Sequence, residues 1–310
     1  MKYDPRIAQL RFYASFSVAL YHLWTLQIIA LPLFRPGWLG VPLFFELSIY
    51  LLLNRLDDNP SLLHYFKRRV KRIWPLYFLA VIVVFLTDKY TFHIDVSYYD
   101  LLLHFVFVSF VVKPFSFNYL FWSLQLEEWM YLFIPIIHRL SEKGKFYVAT
   151  GLIVTTVVYS YFAVSQPYPV FHLLFFLPPF WLGAYGWGII AYLTKEKNNH
   201  NIYYIILGVL ITSYIFTALT IKEEVVYEFL THFLIYNFML PVFAMLINNP
   251  PKVLKKITAL LGEVSYGIYL WTLLFQELYG LFGIPIGVAV AFLTEFPLRW
   301  KEILRRIFIF

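Results

Sequence analysis

Apolar runs long enough to cross a lipid bilayer recur from one end of this chain to the other. A span needs about 20 residues of helix. Such runs fall at 7–30, 39–54, 73–88, 121–139, 146–165, 171–193, 201–220, 229–248, 257–279 and 284–300. The second and third are short and need tilt or local thinning of the bilayer. Hydrocarbon offers backbone N–H and C=O groups no partner, so each run must close its own hydrogen bonds as a helix. Composition agrees: 61% of the 310 residues are hydrophobic and 14% charged, whereas a soluble domain carries about a quarter charged residues. The expectation is an all-α polytopic membrane protein of about ten transmembrane helices, one domain over 1–310 with no fused soluble domain. The opening "MKYDPRIAQL" has no short apolar core with a small-residue cleavage site behind it, so the first run is read as a retained helix.

Charge sets the topology. With ten crossings and the N-terminus inside, twenty of the 25 Lys and Arg residues fall on one side and four on the other, with Arg11 inside a span. Counting "YYDLLLHFVFVSFVV", 98–112, as an eleventh crossing reverses every later loop and destroys that asymmetry. The positive-inside rule therefore favours both termini in the cytoplasm of a cell-membrane protein, and 98–112 as a re-entrant or interfacial helix. The net charge of +7 follows from this bias and is no sign of nucleic acid. The chain has no cysteine, which excludes disulfides, zinc–thiolate sites and a thioester on the enzyme.

Ionisable groups within apolar runs are costly and need a reason. Arg11 and His22 are eleven residues apart, within about 20° of three full turns, so both point the same way, roughly 16 Å apart along the axis. Ala14, Ser15 and Val18 lie between them on that face. The first helix thus presents a fixed charge at one end and a proton-transfer group at the other; a hydrogen-bonded core histidine is the alternative. In "HYFKRRVKRIWPLY", Arg69 and Arg72 share a helix face before Pro75 and suit phosphate groups, although topological anchoring alone also explains such charges. "WSLQLEEWMYLFIP" carries Glu127 and Glu128, able to orient an imidazole or bind hydroxyls, or to act as an interfacial anchor. Glu46 and Glu295 are further acids in or near spans. The spacing of His104, His172 and His232 is too irregular to suggest a metal site.

Together these segments resemble the acyltransferase-3 family, multi-pass membrane enzymes that O-acylate surface glycans and related acceptors. The family's first helix has Arg, ten residues, then His, matched by Arg11 and His22. Its "GV-x-x-FF-x-LSG" is matched from Gly40-Val41 through Phe44-Phe45 to Leu47-Ser48, and its "F-x-x-R-x-x-RI-x-P-x-Y" by Phe66, Arg69, Arg72, Ile73, Pro75 and Tyr77. Its "WSL-x-x-E-x-x-x-Y" is Trp122 to Leu124, Glu127 and Tyr131. Its "SY-x-x-YLW" is Ser265-Tyr266 to Tyr269-Leu270-Trp271, and its "E-x-P" is Glu295 and Pro297. Two positions depart: Thr272 stands where the family often has His, and Ile49 replaces the "LSG" glycine. The second departure predicts looser packing of the second helix.

The resemblance implies acyl transfer, acetyl by family habit, from cytoplasmic acyl-coenzyme A to a hydroxyl of a glycan or glycolipid on the far side of the membrane, with no permanently bound cofactor and no metal. Arg69, Arg72 and Arg11 would hold the donor. His22 would serve either as general base or as a relay that takes the acyl group itself. Glu127 would orient the imidazole or the acceptor, with Glu128, Glu46, Tyr266, Trp271 and Glu295 in structural or acceptor-side roles. The rival reading is a transporter or flippase for a lipid-linked sugar. Transporter folds often show repeated halves, and the sequence shows none.

Overall fold

The computed structural model describes residues 4–113, 120–195, 224–250 and 256–307, with the backbone path alone for 224–225 and 296–307. All regular structure among the described residues is helical. The expected run at 201–220 lies outside them.

Helix α1, Pro5–Thr25, begins where the Asp4 side chain accepts from the Arg6 N–H, with Pro5 in the first turn, where no N–H is needed. A 3₁₀ segment, Pro32–Leu39, leads into α2, Gly40–Asp58. The Ser61 side chain caps α3, Leu62–Tyr90. Two short helices, α4 (Tyr98–Phe105) and α5 (Ser109–Val112), precede α6 (Phe121–Arg139). Then come α7 (Glu142–Val164), α8 (Tyr168–Phe175) and α9 (Pro178–Leu193), the last two meeting at a 44° bend. After 223 the chain resumes with α10 (Glu224–Glu228), a π-helical segment Phe229–Ile235 and α11 (Tyr236–Asn248). It closes with α12 (Lys256–Glu263), α13 (Ser265–Tyr279) and α14 (Gly283–Ile307).

Among the described residues five helices are long and apolar enough to cross a membrane, or six if the bent α8–α9 pair is one span. That is fewer than the ten runs read from the sequence. One of the ten runs lies outside the described residues, those at 257–279 and 284–300 fall in a single apolar stretch, Ser265–Glu295, and two more form helices too polar for a span: α1 carries Gln9, Arg11 and His22, and α6 carries Gln125, Glu127 and Glu128. Outward-facing side chains on α3 (Leu79, Ile82, Leu86), α6 (Leu132, Phe133, Ile136) and α7 (Val154, Val158, Phe162) are exposed, as expected of a surface that meets lipid rather than water.

The segment 98–112 breaks at Phe107, which adopts φ 58°, into helices too short to cross. It is held inward by a buried polar network. Ser109 Oγ donates to Gln125 Oε1 (3.0 Å), Gln125 Nε2 donates to the Tyr77 hydroxyl (3.0 Å), and that hydroxyl donates to the His104 carbonyl (3.1 Å). Asp100 pairs with Lys113 at 2.7 Å.

Helix α1 packs against α2, α12 and α13, and two glycines permit the approach. A Cβ on Gly40 would lie 2.2 Å from the Ala14 carbonyl oxygen, and one on Gly262 would lie 1.8 Å from that of Ala8. Ile49 does not loosen α2 as its sequence suggests. It is fully buried, and its Cγ2 occupies the space a Cβ on Gly188 of α9 would need, 2.3 Å away. The missing glycine of α2 is supplied by its neighbour.

Candidate active site

Helices α1, α2, α3, α6 and α13 line a partly open pocket, with about 760 Å³ of empty space including its solvent-facing mouth. α2 forms one wall with Val41, Phe44, Phe45, Ser48, Leu51, Leu52 and Arg55, residues spaced three and four apart that share one helix face. Val41 to Arg55 spans about 21 Å of helix rise, so the pocket is long. In the otherwise buried stretch 40–50, only Phe44 and Ser48 are partly exposed. Both face this space.

One end is cationic. Arg55 lies in the last turn of α2, and Arg69 and Arg72 lie early in α3, across the short Asn59–Ser61 connection. All three line the pocket, joined by Arg11 from α1. Arg69 is buried, its guanidinium 5.7 Å from the centre of the Tyr131 ring. A buried guanidinium is costly unless charge and hydrogen bonds compensate it, and the acid in the lining is Glu127. Ser48 Oγ donates to the Glu127 carboxylate, the Tyr131 hydroxyl also bonds it, and the charges of Arg69 and Arg11 act on it. Four guanidiniums gathered here make a donor set of the kind that suits an anion with several phosphate oxygens. Beyond Ser48 the α2 wall is apolar, with Val41, Phe44 and Phe45.

Of the residues singled out in the sequence, Arg11, Arg69, Arg72, Glu127 and Tyr266 share this pocket. Tyr266 reaches the Ile73 carbonyl at 3.5 Å. The others lie elsewhere. Glu128 accepts from Trp74 Nε1 at 3.1 Å. Glu46 is fully buried on the opposite side of α2, beside Gly188. Trp271 Nε1 donates to Thr294 Oγ1 (3.0 Å), and Glu295 Oε2 accepts from the Gly267 N–H (2.9 Å), so both tie α13 to α14. Thr272 is buried with its backbone pressed against Gly287.

His22 is buried on the same inward face of α1 as Ala14, Ser15 and Val18 but is not part of the pocket lining. Gly40, next to Val41 at the apolar end, touches Val18. His22 lies one turn further along α1, about 6 Å in rise. At this level Gln276 of α13 donates to the Ala19 carbonyl at 2.9 Å.

Arg55, Ser48, Ser123, Tyr131 and Tyr269 also line the pocket and are not assigned to the site by the sequence reading. Arg55 and Ser48 were open to discovery there: they continue the helical stripe begun by Val41 and Phe44. Ser123 and Tyr269 fall within the motifs quoted above, but that they face this pocket needed the tertiary fold, since they come from α6 and α13.

The acyltransferase-3 family model, described as an acyltransferase domain, matches residues 4–310. A protein of Acidianus two-tailed virus named "Putative acetyltransferase ORF330" is 58% identical over 308 residues, covering 98% of this chain and 93% of the relative. No solved structure matches.

Proposed function

We propose, from the fact that this chain belongs to the acyltransferase-3 family and is an acyltransferase, that it is an integral membrane O-acyltransferase using acyl-coenzyme A. Because it is an enzyme, the transporter reading falls away. The donor binds from the cytoplasmic side, and the acceptor is a hydroxyl of a glycan or glycolipid on the other side. Acetyl is the favoured acyl group, in line with the name of the viral relative. Ten crossings of a cell membrane, both termini in the cytoplasm and a single domain belong to the same reading.

One observation carries it: Arg11, Arg55, Arg69 and Arg72, brought from three helices, converge on one end of a long pocket with Glu127 in its wall. Guanidiniums there hold the donor's phosphates. The pantetheine arm lies along the α2 wall and carries the thioester past Ser48 and Glu127, by Phe44 and Val41, toward His22. His22, one turn beyond the apolar end, takes the proton of the acceptor hydroxyl as general base.

Detergent-purified protein given acetyl-coenzyme A is expected to release free coenzyme A, read with a thiol-reactive dye. Release should quicken when glycolipid extracted from cell membranes is added. No release under either condition removes the reading.

A further inference from the structure

Ser48 stands midway along the α2 wall, partly exposed to the pocket, and its hydroxyl donates to the Glu127 carboxylate. It is the alkyl hydroxyl of the lining held by a carboxylate. Ser123 is engaged with the Tyr269 hydroxyl at 2.7 Å, and Tyr266 reaches a backbone carbonyl. A hydroxyl bonded to a carboxylate has the arrangement of a nucleophile with its base. His22 does not line the pocket, so a thioester lying along α2 meets Ser48 before it can meet the imidazole.

We infer that Ser48 is an acyl carrier, an inference that rests on acyl-coenzyme A being the donor. Ser48 Oγ attacks the thioester carbonyl carbon while its proton passes to Glu127. The carbon–sulfur bond breaks, and the proton held by Glu127 goes to the departing thiolate. The products are an O-acyl serine and free coenzyme A thiol. The acceptor hydroxyl then attacks the carbonyl carbon of the serine ester and gives its proton up toward His22; the bond from that carbon to Ser48 Oγ breaks, and Ser48 Oγ takes a proton back through Glu127, freeing the acylated acceptor. The ester leaves a small neutral group on the wall once the charged donor has gone, and so separates donor release from acceptor arrival.

The test starts with equilibrium dialysis of purified protein against acetyl-coenzyme A. A wild-type chain that does not bind it fails the donor reading itself, before any labelling. A binding chain is then incubated with [¹⁴C]acetyl-coenzyme A without acceptor, acid-quenched, and mapped by peptide mass spectrometry. Label on the peptide carrying Ser48, lost in Ser48→Ala and kept in His22→Ala, is the expected result. Transfer in Ser48→Ala should fall by about a hundredfold or more, with acetyl-coenzyme A affinity unchanged. Label on His22, or Ser48→Ala turnover within about tenfold of wild type, overturns the inference. If Ser48→Ala does not fold, Ser48→Cys decides the matter. Its acyl-thioester must be cleaved by neutral hydroxylamine, and an unlabelled, folded Ser48→Cys counts against Ser48 equally.

Discussion

The hydroxyls of Ser123 and Tyr269 lie 2.7 Å apart and join α6 to α13 across the pocket. Phe44 meets the Tyr269 ring edge-on, 5.8 Å between centres. Tyr269→Phe keeps the ring contact and removes the hydrogen bond. It should cost about 1 kcal/mol, read as a lowered melting temperature in detergent. An unchanged melting temperature would mean the two helices are held by packing alone.

Arg69→Ala with Arg72→Ala should weaken acetyl-coenzyme A binding by at least about a hundredfold. A hydrogen bond to a charged group is worth about 1.5–3 kcal/mol, and each 1.4 kcal/mol is a factor of ten. Added salt should weaken the wild type more steeply than the double mutant. Equal affinities by calorimetry would reduce these arginines to topological anchors.

His22→Ala should lower acyl transfer to the acceptor by about 10²–10⁴-fold, the usual contribution of a general base, while acetyl-coenzyme A binding stays intact. Near wild-type transfer in the folded mutant would make His22 a core residue.

Gly40→Ala drives a methyl group toward the Ala14 carbonyl, 2.2 Å away, whereas nothing lies within 4 Å of a Cβ at Gly151 in α7. Overpacking at the first position should cost about 1–3 kcal/mol. Gly151→Ala should instead gain about 0.5–1 kcal/mol from helix propensity. Melting curves that move in the same direction would contradict the close α1–α2 contact.

Asp100 supplies a pH dependence. Burial pushes its carboxyl upward, but the Lys113 ammonium and the donors of Ser97 outweigh this and hold it below the usual carboxylate range. A lowered native pKa contributes stability that is present above the unfolded value, about 3.9, and is lost as pH falls through the native one. Wild type should therefore lose more stability than Asp100→Asn below about pH 4. Parallel pH profiles would show that the ion pair contributes nothing.

Much of the candidate site's geometry was legible because helical spacing is periodic. Arg69 and Arg72 are three apart, Glu127 and Tyr131 are four apart, and both pairs line the pocket as that spacing suggests. Periodicity says which residues share a face and not which neighbour that face meets. Glu46 therefore turned up against α9, and Trp271 of α13 and Glu295 of α14 tie those two helices together rather than lining the pocket. Arg11 and His22 are aligned along α1, yet only Arg11 lines the pocket, and Gly40 of α2 approaches Val18 between them. That approach is a contact between helices, which spacing within α1 could not reveal.

The interlock of Ile49 with Gly188 makes the two positions a single inherited unit. Restoring glycine at 49 alone leaves a void, and adding a side chain at 188 alone forces a collision. Relatives bearing glycine at the first site should therefore carry bulk at the second. Their energies should fail to add in a double-mutant cycle, as befits two sides of one packed seam.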